Sequence, residues 1–170
     1  DGLIARSGKI NIPILKSALE NFYSNYTRGK RSYDIDDFDL SFINDLSLED
    51  GAATITAFTA DIIITKMLMD IDTIGDPIDV YSPTPKDNIY ICGGGRKNKF
   101  LFEKIKEYSQ RGHTQHQVHQ IDEIGINGDF VESQAFAYLA IRSFLKLPIS
   151  FPETTGCIKP TTGGKIIKFK

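Results

Sequence analysis

A short β-prone run, Asn88-Ile-Tyr-Ile-Cys92, passes through three adjacent glycines, Gly93, Gly94 and Gly95, into an apolar pattern of helical spacing. The order strand, glycine turn, helix narrows the fold more than any other feature of the chain. It is the repeating unit of α/β architectures. It is also a general anion and nucleotide geometry, because glycines let a ligand approach backbone N–H groups and a helix start adds unpaired donors. The common phosphate fingerprints do not fit. No Gly-Lys-Ser/Thr follows at the P-loop spacing, and position 98 is Asn where G-x-G-x-x-G needs Gly. A nucleotide turn and a purely structural tight turn both stay open at this point. Lys97 and Lys99 read as solvated.

The surrounding pattern extends the α/β reading. Residues 10–22 predict a helix, with Ile14, Leu15, Ala18, Leu19 and Phe22 on one face and Pro13 in its first turn. A second helix is predicted from Ser47, as N-cap, to about Asp70, with Asp50 reaching back as a weak capping box. Its stripe is Ile55, Phe58, Ile62 and Met69, widened by Ile63 and Ile64. Asn98 is the expected N-cap of the helix carrying Leu101, Ile105 and Tyr108, which Gly112 is expected to end. "QHQVHQI" predicts a second short strand, and Gly125 to Gly128 a turn. Asp129 and Glu132 form a D-x-x-E capping box opening a helix to about Leu145, stopped by Pro148 and Pro152. The polar stretches 23–39 and 71–88 read as loops. Helices alternating with strands give an α/β layer pattern, with fewer strands than a complete domain usually has.

Composition excludes several classes. The chain has 170 residues and a net charge of −2, which argues against a dedicated nucleic-acid binder. Its basic clusters, Arg28 to Arg31 and the loop at 96–99, lack interleaved aromatics on a platform. No apolar run is long enough to span a bilayer, and no signal-like segment stands at the start, so no membrane partner is expected. Cys92 and Cys157 belong to no CxxC pair and are expected as reduced thiols of a cytoplasmic protein. His113, His116 and His119 are spaced by three. On a strand His116 and His119 take opposite faces, so no metal site is expected. Glu103 and Glu107 read as a solvated helix face pairing with neighbouring lysines. The absence of an initiator Met suggests an excised domain or a trimmed chain, so an incomplete active site is expected.

Several segments together resemble one family. "ICGGGRKNKFLFEKI", "IDEIGINGDFVESQAFAYLAIR" and "LPISFPETTGCIKPTTGGKI" are similar to the C-terminal half of anhydro-N-acetylmuramic acid kinases, of the actin-like sugar-kinase/Hsp70 ATPase superfamily. The start, "DGLIARSGKINIPILKSAL", resembles the segment after that family's second phosphate motif. The most specific element is G-D-x-x-E-x-x-A-F-A at Gly128 to Ala137. The resemblance implies a single ribonuclease H-like C-terminal lobe over residues 1–170, helix-rich around a short sheet and incomplete as a kinase. It implies that Gly93, Gly94 and Gly95 line the adenosine of ATP, and that Asn98 matches the family Asn. Glu132 then faces the anhydro sugar while still able to cap its helix. Arg96, Lys97 and Lys99 depart from the residues usual in that loop and are expected to be mostly solvated.

The implied reaction uses ATP and Mg2+ to phosphorylate 1,6-anhydro-N-acetylmuramic acid at its 6-oxygen while water opens the ring. The product is N-acetylmuramic acid 6-phosphate, in cell-wall recycling. The family's base is an aspartate upstream, so no catalytic residue is expected in this chain. Family kinases resemble homodimers. The alternative is a non-catalytic remnant or a dimerisation or binding module.

Overall fold

The structure, a computed structural model, describes residues 1–25, 35–74, 88–111 and 116–167. Among them run α1 (Leu3–Ser7), α2 (Ile12–Ser24), α3 (Leu48–Ile74), β1 (Asn88–Ile91), α4 (Lys99–Ser109), β2 (Gln117–Gln120), α5 (Val131–Phe144) and α6 (Pro152–Thr155). The fold is mixed α/β, as the sequence pattern predicts. β1 and β2 pair in parallel, Ile89 opposite Val118, with α4 as the crossover between them.

α3 is the central helix, packed against α1, α2 and α4. Ala53, Thr54, Ala57 and Ala60 are wholly buried along it, and Phe58 and Ile64 nearly so. Burial around most of its circumference marks a core helix rather than a surface one. Threonines along it are satisfied within the helix. Thr54, Thr56 and Thr59 donate to the carbonyls of Asp50, Ala52 and Ile55, at 2.7, 2.7 and 2.9 Å. Ile63, one of the residues expected to widen the buried stripe, is exposed. Ile105 and Tyr108 of α4 join Ile89 and Val118 of the strands in the same core.

The connection from α1 to α2 is stitched to the start of α3. A Cβ on Gly8 would lie 2.0 Å from the Glu49 carbonyl oxygen, so the two backbones touch there. Lys9 N–H donates to the Asp50 carboxylate at 2.7 Å, and Asn11 N–H to the Thr54 hydroxyl at 3.0 Å. This corrects the expected capping box. Ser47 does cap α3, accepting from Asp50 N–H at 3.1 Å, but the Asp50 side chain serves Lys9 instead of reaching back. α2 is capped by Asn11, whose side chain accepts from Ile14 N–H, with Pro13 in the first turn. α1 has no counterpart in the sequence reading.

The boundaries of the predicted loops shift. α2 continues to Ser24 and a 3-10 turn forms at Ile35–Asp37, inside the span 23–39. α3 runs past Asp70 to Ile74, and β1 begins at Asn88, inside the span 71–88. Arg28 to Arg31, Gly112 and His113 lie outside the described residues.

α5 differs from the other long helices. None of its residues is buried, and Phe136, Ile141 and Phe144 are each at least 60% exposed. Its last turns hold the tail: Arg142 Nε donates to the Pro148 carbonyl at 2.6 Å, Ser143 Oγ donates to the Gly163 carbonyl, and Ser150 bridges Thr161 antiparallel.

Candidate functional site

β1 ends at Ile91, and Gly93 turns the chain with φ 77°, a conformation only glycine adopts without strain. Residues Gly94–Lys97 then form a 3-10 turn. Asn98 N–H donates to the Gly95 carbonyl at 3.0 Å, and the Asn98 side chain accepts from Leu101 N–H at 3.1 Å, capping α4 as predicted. The outer surface of the glycines is open. Among the described residues, a Cβ on Gly93 or Gly94 would meet nothing within 4 Å, and one on Gly95 only Leu101 at 3.8 Å. Packing therefore gives no reason for glycine at position 94. Open backbone beside a capped helix start leaves room for a ligand.

Beneath the turn sits Arg96, and here the sequence reading is corrected. Arg96 is 5% exposed, not solvated. Its Nε and Nη2 fork onto the two carboxylate oxygens of Asp122 at 2.7 and 3.1 Å. Its Nη1 donates to Asp129 at 2.7 Å and to the Gly93 carbonyl at 2.9 Å. Lys97, although exposed, donates to the other Asp129 oxygen at 2.7 Å. Planar guanidinium donors and charged acceptors make these strong, oriented bonds. Gly93 N–H donates to the Gly128 carbonyl at 3.0 Å, and Gly128 N–H to Asp122 at 3.3 Å. A Cβ on Gly128 would lie 2.5 Å from Arg96 Nε, so glycine makes space for the guanidinium.

The electrostatics follow from the bonds. Arg96 first and Lys97 second hold the Asp129 carboxyl down at about 2. The Arg96 hydrogen bond, assisted by the Gly128 N–H, keeps Asp122 below the usual carboxylate range, and the two aspartates raise Arg96 in turn. Asp129 is committed to two cations and does not cap α5. The N-cap is Phe130, with no side-chain bond. The predicted D-x-x-E capping box is therefore not formed. Glu132 lies exposed in the first turn of α5, and no hydrogen bond or ion pair occupies it among the described residues. A capping box does exist nearby, between Gln120 and Glu123, at the 3-10 turn after β2.

The remaining candidates resolve into structural roles. Glu103 pairs with Arg6 of α1 at 2.7 Å, not with a neighbouring lysine, whereas Glu107 does pair with Lys104 at 2.7 Å. Lys99 is exposed. His116 is buried, while His119 is half-buried against Tyr90 and within 2.9 Å of Glu123. Cys92 and Cys157 are free thiols. Among the described residues, no helix is long and apolar enough to cross a membrane.

Arg96 and Asp122 were missed from sequence because their pairing spans residues far apart in the chain. The available signal was charge matching, Arg96-Lys97 against Asp122 and Asp129 on either side of an otherwise unexplained Gly128.

Fold and site define a class first: a mixed α/β domain whose strand, glycine turn and capped helix are clamped to the start of a second helix. The family model for anhydro-N-acetylmuramic acid kinase matches residues 1–168. The chain belongs to that family. It is similar to the anhydro-N-acetylmuramic acid kinase of Pelagibacter ubique (strain HTCC1062), 44% identical over 99% of this chain and 42% of that protein. It is similar to the kinase of the same name from Zymomonas mobilis, at 34% identity over 97% of the chain and 40% of the relative. For that of Rhodospirillum rubrum the values are 38%, 96% and 39%. The chain thus spans about two-fifths of the length of the curated relatives it matches.

Proposed function

We propose that this chain supplies the adenosine-binding, actin-like C-terminal lobe of an anhydro-N-acetylmuramic acid kinase. In this reading the lobe is a single unit over residues 1–170. The whole kinase takes ATP and 1,6-anhydro-N-acetylmuramic acid to N-acetylmuramic acid 6-phosphate in cytoplasmic cell-wall recycling. Gly93, Gly94 and Gly95 present open backbone to the adenosine, Asn98 fixes the helix start beside it, and Glu132 accepts a hydroxyl of the sugar. The observation that carries this reading is the combination of an open glycine surface with a locked underside. Among the described residues nothing packs where side chains at Gly93 and Gly94 would project, while Arg96 fixes the turn from below. A bound nucleotide would meet donors already in place.

The glycine turn fits a nucleotide. Among the described residues no group of three or more His, Cys, Asp or Glu gathers, so Mg2+ would be held chiefly by the nucleotide phosphates and waters. No step is assigned to it in this chain. The base that activates water belongs to the part of the kinase outside this chain.

The test is Gly94→Val in the full-length kinase that carries this chain. Position 94 has free space, so the melting temperature should hold while nucleotide Kd rises about tenfold or more, the scale of a steric clash. Unchanged nucleotide affinity would overturn the adenosine assignment.

The bare apolar face of α5 favours a second reading, an assembly module, with the homodimer as its partner. Assays of the isolated chain separate the two. Nucleotide binding without turnover supports the lobe. Self-association in sedimentation with no nucleotide affinity supports the module. A monomer without nucleotide affinity overturns both, and sugar phosphorylation by the chain alone overturns the placement of the base elsewhere.

A further inference from the structure

We propose that Arg96 is a positioning residue that ties the state of the glycine turn to the segment presenting Glu132. The inference rests on the reading of the turn as nucleotide-facing and of Glu132 as sugar-facing. Three observations carry it.

Arg96 bonds both segments at once. One of its nitrogens reaches the Gly93 carbonyl of the turn and Asp129, and the other two hold Asp122. Asp122 and Asp129 flank Gly128, whose carbonyl accepts from Gly93 N–H. The turn and the Asp122–Asp129 segment are therefore one piece, closed by backbone on one side and by guanidinium on the other.

The clamp ends where Glu132 begins. Asp129 directly precedes Phe130, the N-cap of α5, and Glu132 stands in the first turn of that helix. Lys97 holds the second Asp129 oxygen, so both cations of the turn set the position of one carboxylate. Any displacement of Gly93 to Lys97 is passed to the base of α5.

Three adjacent glycines carry much backbone freedom. The Arg96 and Gly128 bonds restrain Gly93, and a nucleotide on the open side would remove the freedom left at Gly94 and Gly95. Arg96 then transmits the fixed position to Glu132, so nucleotide and sugar bind with positive coupling. Lysine cannot reproduce this, because a single ammonium lacks the fork that spans two carboxylates and a carbonyl.

The experiment uses the full-length kinase that carries this chain. Equilibrium binding of anhydro-N-acetylmuramic acid is measured with and without a non-hydrolysable ATP analogue, and the ratio of the two Kd values is taken. In the wild type the analogue should tighten sugar binding roughly fivefold or more, the usual lower range of such coupling. In Arg96→Lys the ratio should fall towards one. Asp129→Asn, on a half-exposed residue, should give the same loss and serves if Arg96→Lys does not fold. A role limited to stability lowers the melting temperature and the active fraction but leaves the ratio unchanged. An unchanged ratio in these variants, or a ratio of one in the wild type, overturns the coupling alone. A wild type that binds no nucleotide overturns the reading of the turn itself, and the coupling with it.

Discussion

In the full-length kinase that carries this chain, Glu132→Gln is expected to lower kcat/KM for the anhydro sugar about a hundredfold. A hydrogen bond from a neutral hydroxyl to a charged carboxylate contributes about 1.5–3 kcal/mol, and the hundredfold loss stands at the upper end of that range. The melting temperature should move by no more than about 4 °C, the scale of a lost first-turn charge. The structure separates these outcomes. Glu132 caps nothing, because Asp129 is held by Arg96 and Lys97 and the N-cap position belongs to Phe130. A large fall in melting temperature with normal kinetics would restore the capping role and remove the sugar role. Steady-state kinetics and a melting curve on the same preparation decide it.

Gly8→Ala is expected to give the largest loss of stability, about 3 kcal/mol, or roughly 6–12 °C in melting temperature for a chain of this size. The added Cβ would stand 2.0 Å from the Glu49 carbonyl oxygen and 2.2 Å from its carbon. Both are backbone atoms in the first turn of α3, which cannot swing aside as a side chain can. Relief requires moving α1 away from α3. That movement breaks the bonds from Lys9 N–H to Asp50 and from Asn11 N–H to Thr54. It also loosens the Arg6–Glu103 pair to α4. Thermal and urea denaturation of the isolated chain measure the loss. A melting temperature equal to that of the wild type would mean that α1 does not lie against α3 in this way.

The sequence made the order of elements legible where periodicity is long or where punctuation is sharp. α2, α3 and α4 follow their apolar spacing, and β1 follows from a short β-branched run entering glycines. Asn98 shows its capping role locally, because its acceptor and the Leu101 N–H are three residues apart. α1 was not legible, since Leu3–Ser7 is too short for a period and is held by packing on α3. The failed capping boxes share one cause. Asp50 and Asp129 sit at the right offset, but distant donors, Lys9 N–H and Arg96, capture their carboxylates. Local pattern names the residues that can cap; tertiary structure decides which of them does. Arg96 shows the same limit from the other side. Its basic neighbours and its place after a glycine run suggest solvent, and only the approach of Asp122 and Asp129 reveals a buried clamp.

The parallel pair of β1 and β2 has two outer edges, and among the described residues no further strand joins either. Such a pair acts as a seed. A further strand would find backbone N–H and C=O groups on the outer edges of Asn88–Ile91 and Gln117–His119, the Gln120 N–H being taken by Glu123. In a tube of the isolated chain the same rows of donors and acceptors are offered to neighbouring copies. Concentration then becomes a variable of state, and every melting curve on this chain belongs beside a dilution series.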